Sequence, residues 1–347
     1  MNTQKENQHF FPRFYLKKFS NSNDEKSIGV YLKDRKKYIK IASIEGQAQK
    51  PFYYGKDGKI EDYLMEIERH ASIVLAKVCE LKQIPKEPFE DYFRVLHFAI
   101  NLYMRNPRQA ITLEAADKGF NKHFSKYKSS PEINSIISSV LTTEQAIRFA
   151  LLQSTRISKI CLDLKLKVLS NKTSMPFITS DNPTIKYNSI SEKYEWMTSS
   201  FVSAGLQIFF PLSPTLILFF YDPKTYIVKT DDCEIVFIEK ESEVFQLNLL
   251  QILNSTNCLY LNENILESDI SALIAESNNY SQPNQITPIE FGSYFFQTIS
   301  ELKIKLLLDA VRPLTEQLVI PTNRLVFPMR KHAEKMREYM EKDEGVE

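Results

Sequence analysis

The chain has 347 residues, enough for one large domain or two modest ones with a substantial buried core. Its 43% apolar and 25% charged residues are ordinary for a soluble globular protein, and a net charge of +1 excludes a chain that is basic throughout. The charge is uneven, because residues 1–60 hold 13 Lys plus Arg against 6 Asp plus Glu, which is +7 locally. A basic surface of this kind suits a polyanion, and the plainer alternative is a hairpin that simply faces water.

The opening "MNTQKENQHF" lacks the apolar run of a signal peptide, and runs such as "LILFF" (216–220) are too short to span a bilayer. These features lead us to expect a cytoplasmic protein with no membrane partner. Cys79, Cys161, Cys233 and Cys258 show no CxxC spacing and read as reduced core residues. Only 8 glycines occur and none forms GxGxxG or GxxxxGK[ST], which argues against a Rossmann dehydrogenase or a P-loop enzyme.

In chain order, "NQHFFPRFYLKKFS" (7–20) comes first, with basic residues set among aromatic ones. "IGVYLKDRKKYIKI" (28–41) is two β-rich runs around a charged turn, hence a hairpin, and "PFYYG" (51–55) is a short aromatic strand or turn. Leu64, Ile67, Ala71, Val74, Leu75 and Val78 recur at helical spacing from Glu61 onward. A second helix starts near Pro88, carries Phe89, Phe93, Leu96, Ile100 and Met104, and is interrupted or bent at "RNP" (105–107). A third runs from about Thr143 to Cys161, capped by Thr142 or Thr143.

Beyond Leu164, "LKLKVLS", "PFITSD", "PTIKYN", "LQIFFPL", "TLILFFY" and "CEIVFIE" read as strands. A helix over 241–256, the strand "CLYL", a helix near 265–277 and a charged C-terminal helix follow. There is no internal repeat or long linker, and "NNYSQPNQITP" (278–288) is the best boundary candidate. Helices first and strands second predict an α+β fold. It comprises an N-terminal basic hairpin arm and a helical bundle on a mostly antiparallel sheet, with a helical C-terminal extension. The expected division is 1–262 (arm and hairpin 1–60, helices 61–163, mainly strands 164–262), then a mostly helical extension over 263–347.

Four separated stretches resemble one family. His9, Pro12, Tyr15, Leu16 and Phe19 fit H-aromatic-x-P-x-x-Y-L-x-x-F, and "PFITSDNP" (176–183) with "FPLSP" (210–214) fits a second signature. "YLMEIERHA" and "YMRNPR" match an acidic helix and an arginine-proline break between them. "VFQLNLLQILNSTNCLYL" matches a closing helix and strand. Over about 7–262 the chain is similar to family 4238 of the bacterial domains of unknown function, a resemblance that implies little about activity. Arg13 stands where that family often has Gln, and Gln8 where a second histidine often precedes His9.

Taken residue by residue, His9 is one of five histidines. It could serve as a general base or a metal ligand, or tether the N-terminal arm by hydrogen bonds. If its segment is helical, Arg13 and Lys17 share a face and could grip phosphate. Glu61 suits a helix N-terminus, whereas Glu68 lies near the buried stripe and needs an arginine or a metal as partner. Glu66 and His70 are four apart, a weak chelating signal and more simply a surface pair. Arg105 either caps its helix or pairs with Glu68 or an anionic substrate. Asp181 ends an apolar strand, and Pro183 forces Asn182 toward extended geometry. That is a mount for chemistry or an Asx-turn between strands; "PLSP" is given no chemical role.

The concrete expectation is a metal-dependent phosphodiester hydrolase, nuclease-like, acting against foreign RNA or DNA bound through the basic arm. His9, Glu68 and Asp181 would be its catalytic groups, with Glu68 and Asp181 holding Mg²⁺ or Mn²⁺. Arg13, Lys17, Arg105 and Asn182 would contact substrate. The rival is a binding or scaffolding module in which His9, Glu68, Arg105 and Asp181 form a buried structural network. Exposure discriminates the two, since a catalytic set lines a cleft and a structural set is sealed.

Overall fold

The computed structural model describes residues 7–21, 25–82, 89–125, 141–192, 199–229, 235–281, 286–291, 294–299, 302, 304–314 and 329–343. Strand β1 (Asn7–His9) leads into the one-turn helix α1 (Arg13–Leu16), which continues as a 3-10 turn to Phe19. The four-residue spacing of Phe11, Tyr15 and Phe19 seals all three in the core, while Arg13 and Lys17 stay half-exposed. Tyr15 stacks on Phe210 at 5.2 Å between ring centroids and donates its hydroxyl to the Pro211 carbonyl. Thr179 therefore donates to the Tyr15 oxygen, since a phenol has one proton to give. The family-like opening motif is thus largely a packing stripe that joins the N-terminus to the later sheet.

The expected hairpin is β2 (Ser27–Leu32) and β3 (Lys37–Ser43), and β4 (Gln49–Pro51) returns to pair with β1. Among the described residues four helices follow: α2 (Lys59–Leu81), α3 (Phe89–Met104), α4 (Pro107–Phe124) and α5 (Thr143–Ile160). Pro88 lies outside the described residues. Helix α3 is buried on every side from Val95 to Met104, because α2 and α5 pack against it. The break at "RNP" divides α3 from α4: the Asn106 side chain accepts the Arg108 N–H at 2.7 Å. Pro107 follows in the first turn, where no N–H is required. Thr142 and Gln145 form a reciprocal capping box at the start of α5.

His97 of α3 lies against Phe93 with its Nε2 3.4 Å from the hydroxyls of Ser154 and Thr155 on α5. Burial lowers its pKa from 6.5 to about 4, so the folded protein keeps it neutral. The unfolded chain binds this proton first, so stability is full above pH 6.5 and declines as pH falls toward 4. The loss expected from this group is about 3–4 kcal/mol, because each pH unit between those two limits contributes about 1.4 kcal/mol. Urea unfolding of His97→Gln across that window should show the acid-side slope reduced; an unchanged slope would assign it to other groups.

Among the described residues the next strands are β5 (Lys165–Asn171), β6 (Thr179–Ser180), β7 (Ile185–Tyr187), β8 (Gln207–Ser213), β9 (Leu216–Tyr221), β10 (Tyr226–Val228) and β11 (Ile235–Ile238). Helix α6 (Glu241–Asn254), strand β12 (Cys258–Leu261) and helix α7 (Glu267–Ser277) come next. The chain closes with β13 (Ile286–Phe291), β14 (Tyr294–Ile299), β15 (Val311–Pro313) and α8 (Lys331–Asp343). A five-stranded sheet runs β11-β5-β9-β8-β7, antiparallel except for the β11–β5 pair. A second sheet runs β3-β2-β12-β6, so the N-terminal hairpin is built into the fold through β12.

Alternation explains the central sheet. Ile208, Phe210, Leu212, Leu216, Leu218 and Phe220 join the core shared with the helices. Phe209, Ile217, Phe219 and Tyr221 join a second core with α6 and α7. Both faces are covered, so "LILFF" is apolar without a break. No described helix is long and apolar enough to cross a membrane. Within 263–347, β13 and β14 form an antiparallel hairpin and β15 pairs with β10, strands that the reading of a mostly helical extension did not anticipate. The β-branched and aromatic content of "ITPIEF" and "YFFQTI" is the reason. Leu302, Ile304, Leu306 and Leu308 are buried in the second core, and Arg330 ties α8 to Asp163 at 3.0 Å.

Candidate functional site

Glu61, Leu64, Met65 and Glu68 lie at helical spacing on one face of α2 and form the wall of a cleft of about 880 Å³. The N-terminal strand with Arg13, and the turn over 52–58, complete it. Gly55 sits in that turn with φ +92°, a conformation strained for any residue with a Cβ, and a Cβ there would also push the Glu144 carboxylate aside. Gln8 is buried and braces the turn: its Oε1 accepts the Tyr54 N–H at 2.6 Å and its Nε2 donates to the Gly55 carbonyl at 2.8 Å. The same amide donates to Glu61 at 3.2 Å. The position expected to vary between Gln and His is therefore an architectural clamp.

His9 is half-buried at the mouth of this cleft. Its Nδ1 lies 3.2 Å from the Gln47 carbonyl, and Arg13 Nε lies 3.3 Å from its Nε2. A carbonyl only accepts and a guanidinium only donates, so Nδ1 carries the proton and the Nε2 lone pair accepts from Arg13. Burial first, and the Arg13 guanidinium second, hold this imidazole below its ordinary pKa of 6.5. Arg13 also pairs with exposed Glu45 at 3.2 Å. Lys17 pairs with Glu25 at 3.0 Å and does not line the cleft.

Glu68 accepts from Arg105 Nη1 at 2.7 Å; its side chain is 25% exposed and that of Arg105 0%. Arg105 ends α3 at the bend before Asn106, and Tyr53 donates to its backbone carbonyl at 3.0 Å. Of the two roles weighed for Arg105, the geometry gives the ion pair with Glu68. Glu66 and His70 form an exposed cluster with Arg69. Among the described residues, no group of three or more His, Cys, Asp or Glu side chains is placed to hold a metal ion. The cleft lining carries Asp57, Glu61, Asp62 and Glu68 against Arg13 and Lys56. Arg148 neutralises Asp57 at 2.9 Å and Arg105 engages Glu68, which leaves Glu61 and Asp62 to balance Arg13 and Lys56.

Asp181 is sealed and lies outside this lining. One carboxylate oxygen accepts the Thr256 N–H at 2.7 Å, and the other accepts those of Asn257 at 2.7 Å and Cys258 at 2.9 Å. Burial pushes its carboxyl pKa up while these donors and Arg108 oppose the rise. Asn106 donates to the Asp181 backbone carbonyl at 3.1 Å, so the residue after Arg105 fastens this segment. The structure thus brings His9, Arg13 and Glu68 to one cleft, places Arg105 behind Glu68, and leaves Asp181 and Asn182 in a separate buried anchor. Glu68 and Asp181 do not fit as a shared metal site: Arg105 engages the first, and three N–H groups aim positive ends at the second.

Residues that sequence reasoning missed build that anchor. Asn248, Gln251 and Asn254, at three-residue spacing on α6, hydrogen-bond the backbone of 176–184 in place of a neighbouring strand. The signal was present as three amides set into the apolar second half of this helix, 247–254. Asn182 donates to the Asn254 carbonyl at 3.0 Å, and Arg108 to that of Ser255 at 2.6 Å. Lys33 donates to the Ile252 and Ser255 carbonyls at 3.0 and 3.2 Å, capping the same helix end. Burial lowers the Lys33 pKa to about 8, with Arg108 contributing next. The "KDRKK" turn is therefore not uniformly a solvated basic run, because its first lysine is committed to the fold.

No curated protein and no solved structure matches this chain. The family described as "Protein of unknown function (DUF4238)" matches residues 7–264, which include every motif named above, and the chain belongs to that family.

Proposed function

We propose that this protein is a hydrolase of phosphodiesters in RNA or DNA, with His9 as general base and Arg13 as the phosphate contact. The observation that carries this reading is the fixed tautomer of His9, whose Nε2 lone pair accepts from Arg13 in a cleft and is released for a proton when that guanidinium turns to a phosphate. A base near a cation can take a proton from the attacking oxygen while the phosphoryl charge is held. Besides its bond to His9, Arg13 pairs with exposed Glu45, and Lys17 pairs with exposed Glu25, in pairs worth about 0–1 kcal/mol, so a phosphate can displace either carboxylate.

A second reading, a non-catalytic binding module, is favoured by the sealing of Arg105, Asp181 and Asn182. One experiment separates them: cleavage of single-stranded RNA, duplex DNA and a chromogenic phosphodiester, with chelator and with added Mg²⁺ or Mn²⁺. His9→Ala is expected to lower turnover by roughly 10²–10⁴-fold. Because His9 works deprotonated and its pKa is depressed, kcat/KM should stay level from about pH 7.5 down to its ordinary 6.5 and fall only below that. Full turnover in His9→Ala, or an inactive parent under every condition, sinks the hydrolase reading.

A further inference from the structure

Arg105 is held in an unusual way for a buried cation. Its side chain is 0% exposed, and its Nη1 donates to a single oxygen of Glu68. The Tyr54 hydroxyl donates its proton to the His9 carbonyl at 3.3 Å, and its oxygen is a second, neutral acceptor beside the guanidinium. The Nε and Nη2 of Arg105 are buried and unpartnered, and so are both amide atoms of Asn101 one turn earlier on α3. A guanidinium presents its N–H groups as a fork matched to two oxygens of one acceptor, and here the fork is only part-filled. Buried polar groups are otherwise nearly always satisfied. The carboxylate that does occupy it comes from a cleft-lining side chain with access to water, so it has somewhere to go.

We propose that Arg105 is a latent oxyanion site at the inner wall of the cleft. Glu68 is its internal occupant, displaced when a ligand brings a carboxylate or phosphoryl group. A phosphoryl group offers several oxygens to the fork where Glu68 offers one, and Glu68 exchanges its ion pair for hydration at the cleft wall. The incoming anion would then lie in the cleft that holds His9. The inference rests on the same cleft as the hydrolase reading but not on turnover.

The test is thermal unfolding of the full chain and of Glu68→Ala with acetate, inorganic phosphate or chloride at equal ionic strength. Glu68→Ala should unfold at a lower temperature, and acetate or phosphate should restore roughly half of the loss or more, in a saturable way, as ligand linkage requires. Recovery with phosphate alone assigns a phosphoryl ligand, and recovery with acetate alone a carboxylate. Glu68→Ala combined with Arg105→Met should not respond. Equal recovery with chloride, no recovery, or a response that survives loss of Arg105 overturns the proposal. Should Glu68→Ala not fold, Glu68→Gln keeps the shape with a neutral occupant, and phosphate or acetate should bind it roughly tenfold more tightly than the parent by calorimetry. Equal affinity overturns the proposal. An inactive protein that passes these tests retains the anion site, and an active one that fails them loses it.

Discussion

Glu68→Gln is expected to destabilise the fold by about 3–5 kcal/mol, whereas Arg105→Met should cost no more than about 1–2 kcal/mol. The asymmetry follows from where water can reach. With Gln at 68, a full positive charge stays at a position with 0% exposure and keeps only a neutral partner. With Met at 105, the remaining carboxylate is 25% exposed on the cleft wall and can turn outward to hydrate. Methionine is unbranched and adaptable, so it fills much of the vacated path. The change also removes two buried nitrogens that have no partner, Nε and Nη2. Urea unfolding of the two variants, compared at unchanged m-value, gives the ranking directly. If Arg105→Met is the more damaging, the guanidinium contributes through packing or unrecognised bonds and the part-filled fork is a misreading.

The pairing of Glu68 with Arg105 was legible because each residue broke a local rule. A carboxylate beside the stripe of Leu64, Ile67 and Ala71 needs a partner, and an arginine after an apolar helix offers one. The stripe of α2, the Thr142 cap and the two-faced strands β8 and β9 were legible for a similar reason: each is a short-range pattern. Asp181 was not. Its partners are backbone N–H groups of Thr256, Asn257 and Cys258, more than seventy residues away, and a backbone N–H looks the same in every sequence. Lys33 was missed because a charge run reads as solvated, while its ammonium is drawn inward by carbonyls at the end of α6. Convergence was half-legible. Four motifs meet around Arg105 and Asn106, but the first reaches the cleft through Glu68 and the second reaches Asp181 through a main-chain carbonyl.

Asp181→Asn is expected to destabilise the protein by about 3–5 kcal/mol while leaving turnover per folded molecule unchanged. The carboxylate accepts three N–H groups, two of them on one oxygen. An amide can keep its oxygen on that pair, which turns its NH₂ toward the Thr256 N–H, donor against donor at 2.7 Å. One buried donor then loses its acceptor, at about 1–3 kcal/mol. The lost charge matters as well, because Lys33 and Arg108 converge on the same helix end and Asp181 is the anion that favours both of their charged forms. Without it the Lys33 pKa should fall below its present value of about 8, and the amine should release its proton nearer neutrality. Chemical denaturation and the cleavage assay on this one variant therefore separate architecture from chemistry. A stable but inactive Asp181→Asn protein would return the residue to the reaction. A destabilised protein whose folded fraction keeps parental turnover places the SDNP motif in the anchor and leaves the chemistry to the cleft beside His9.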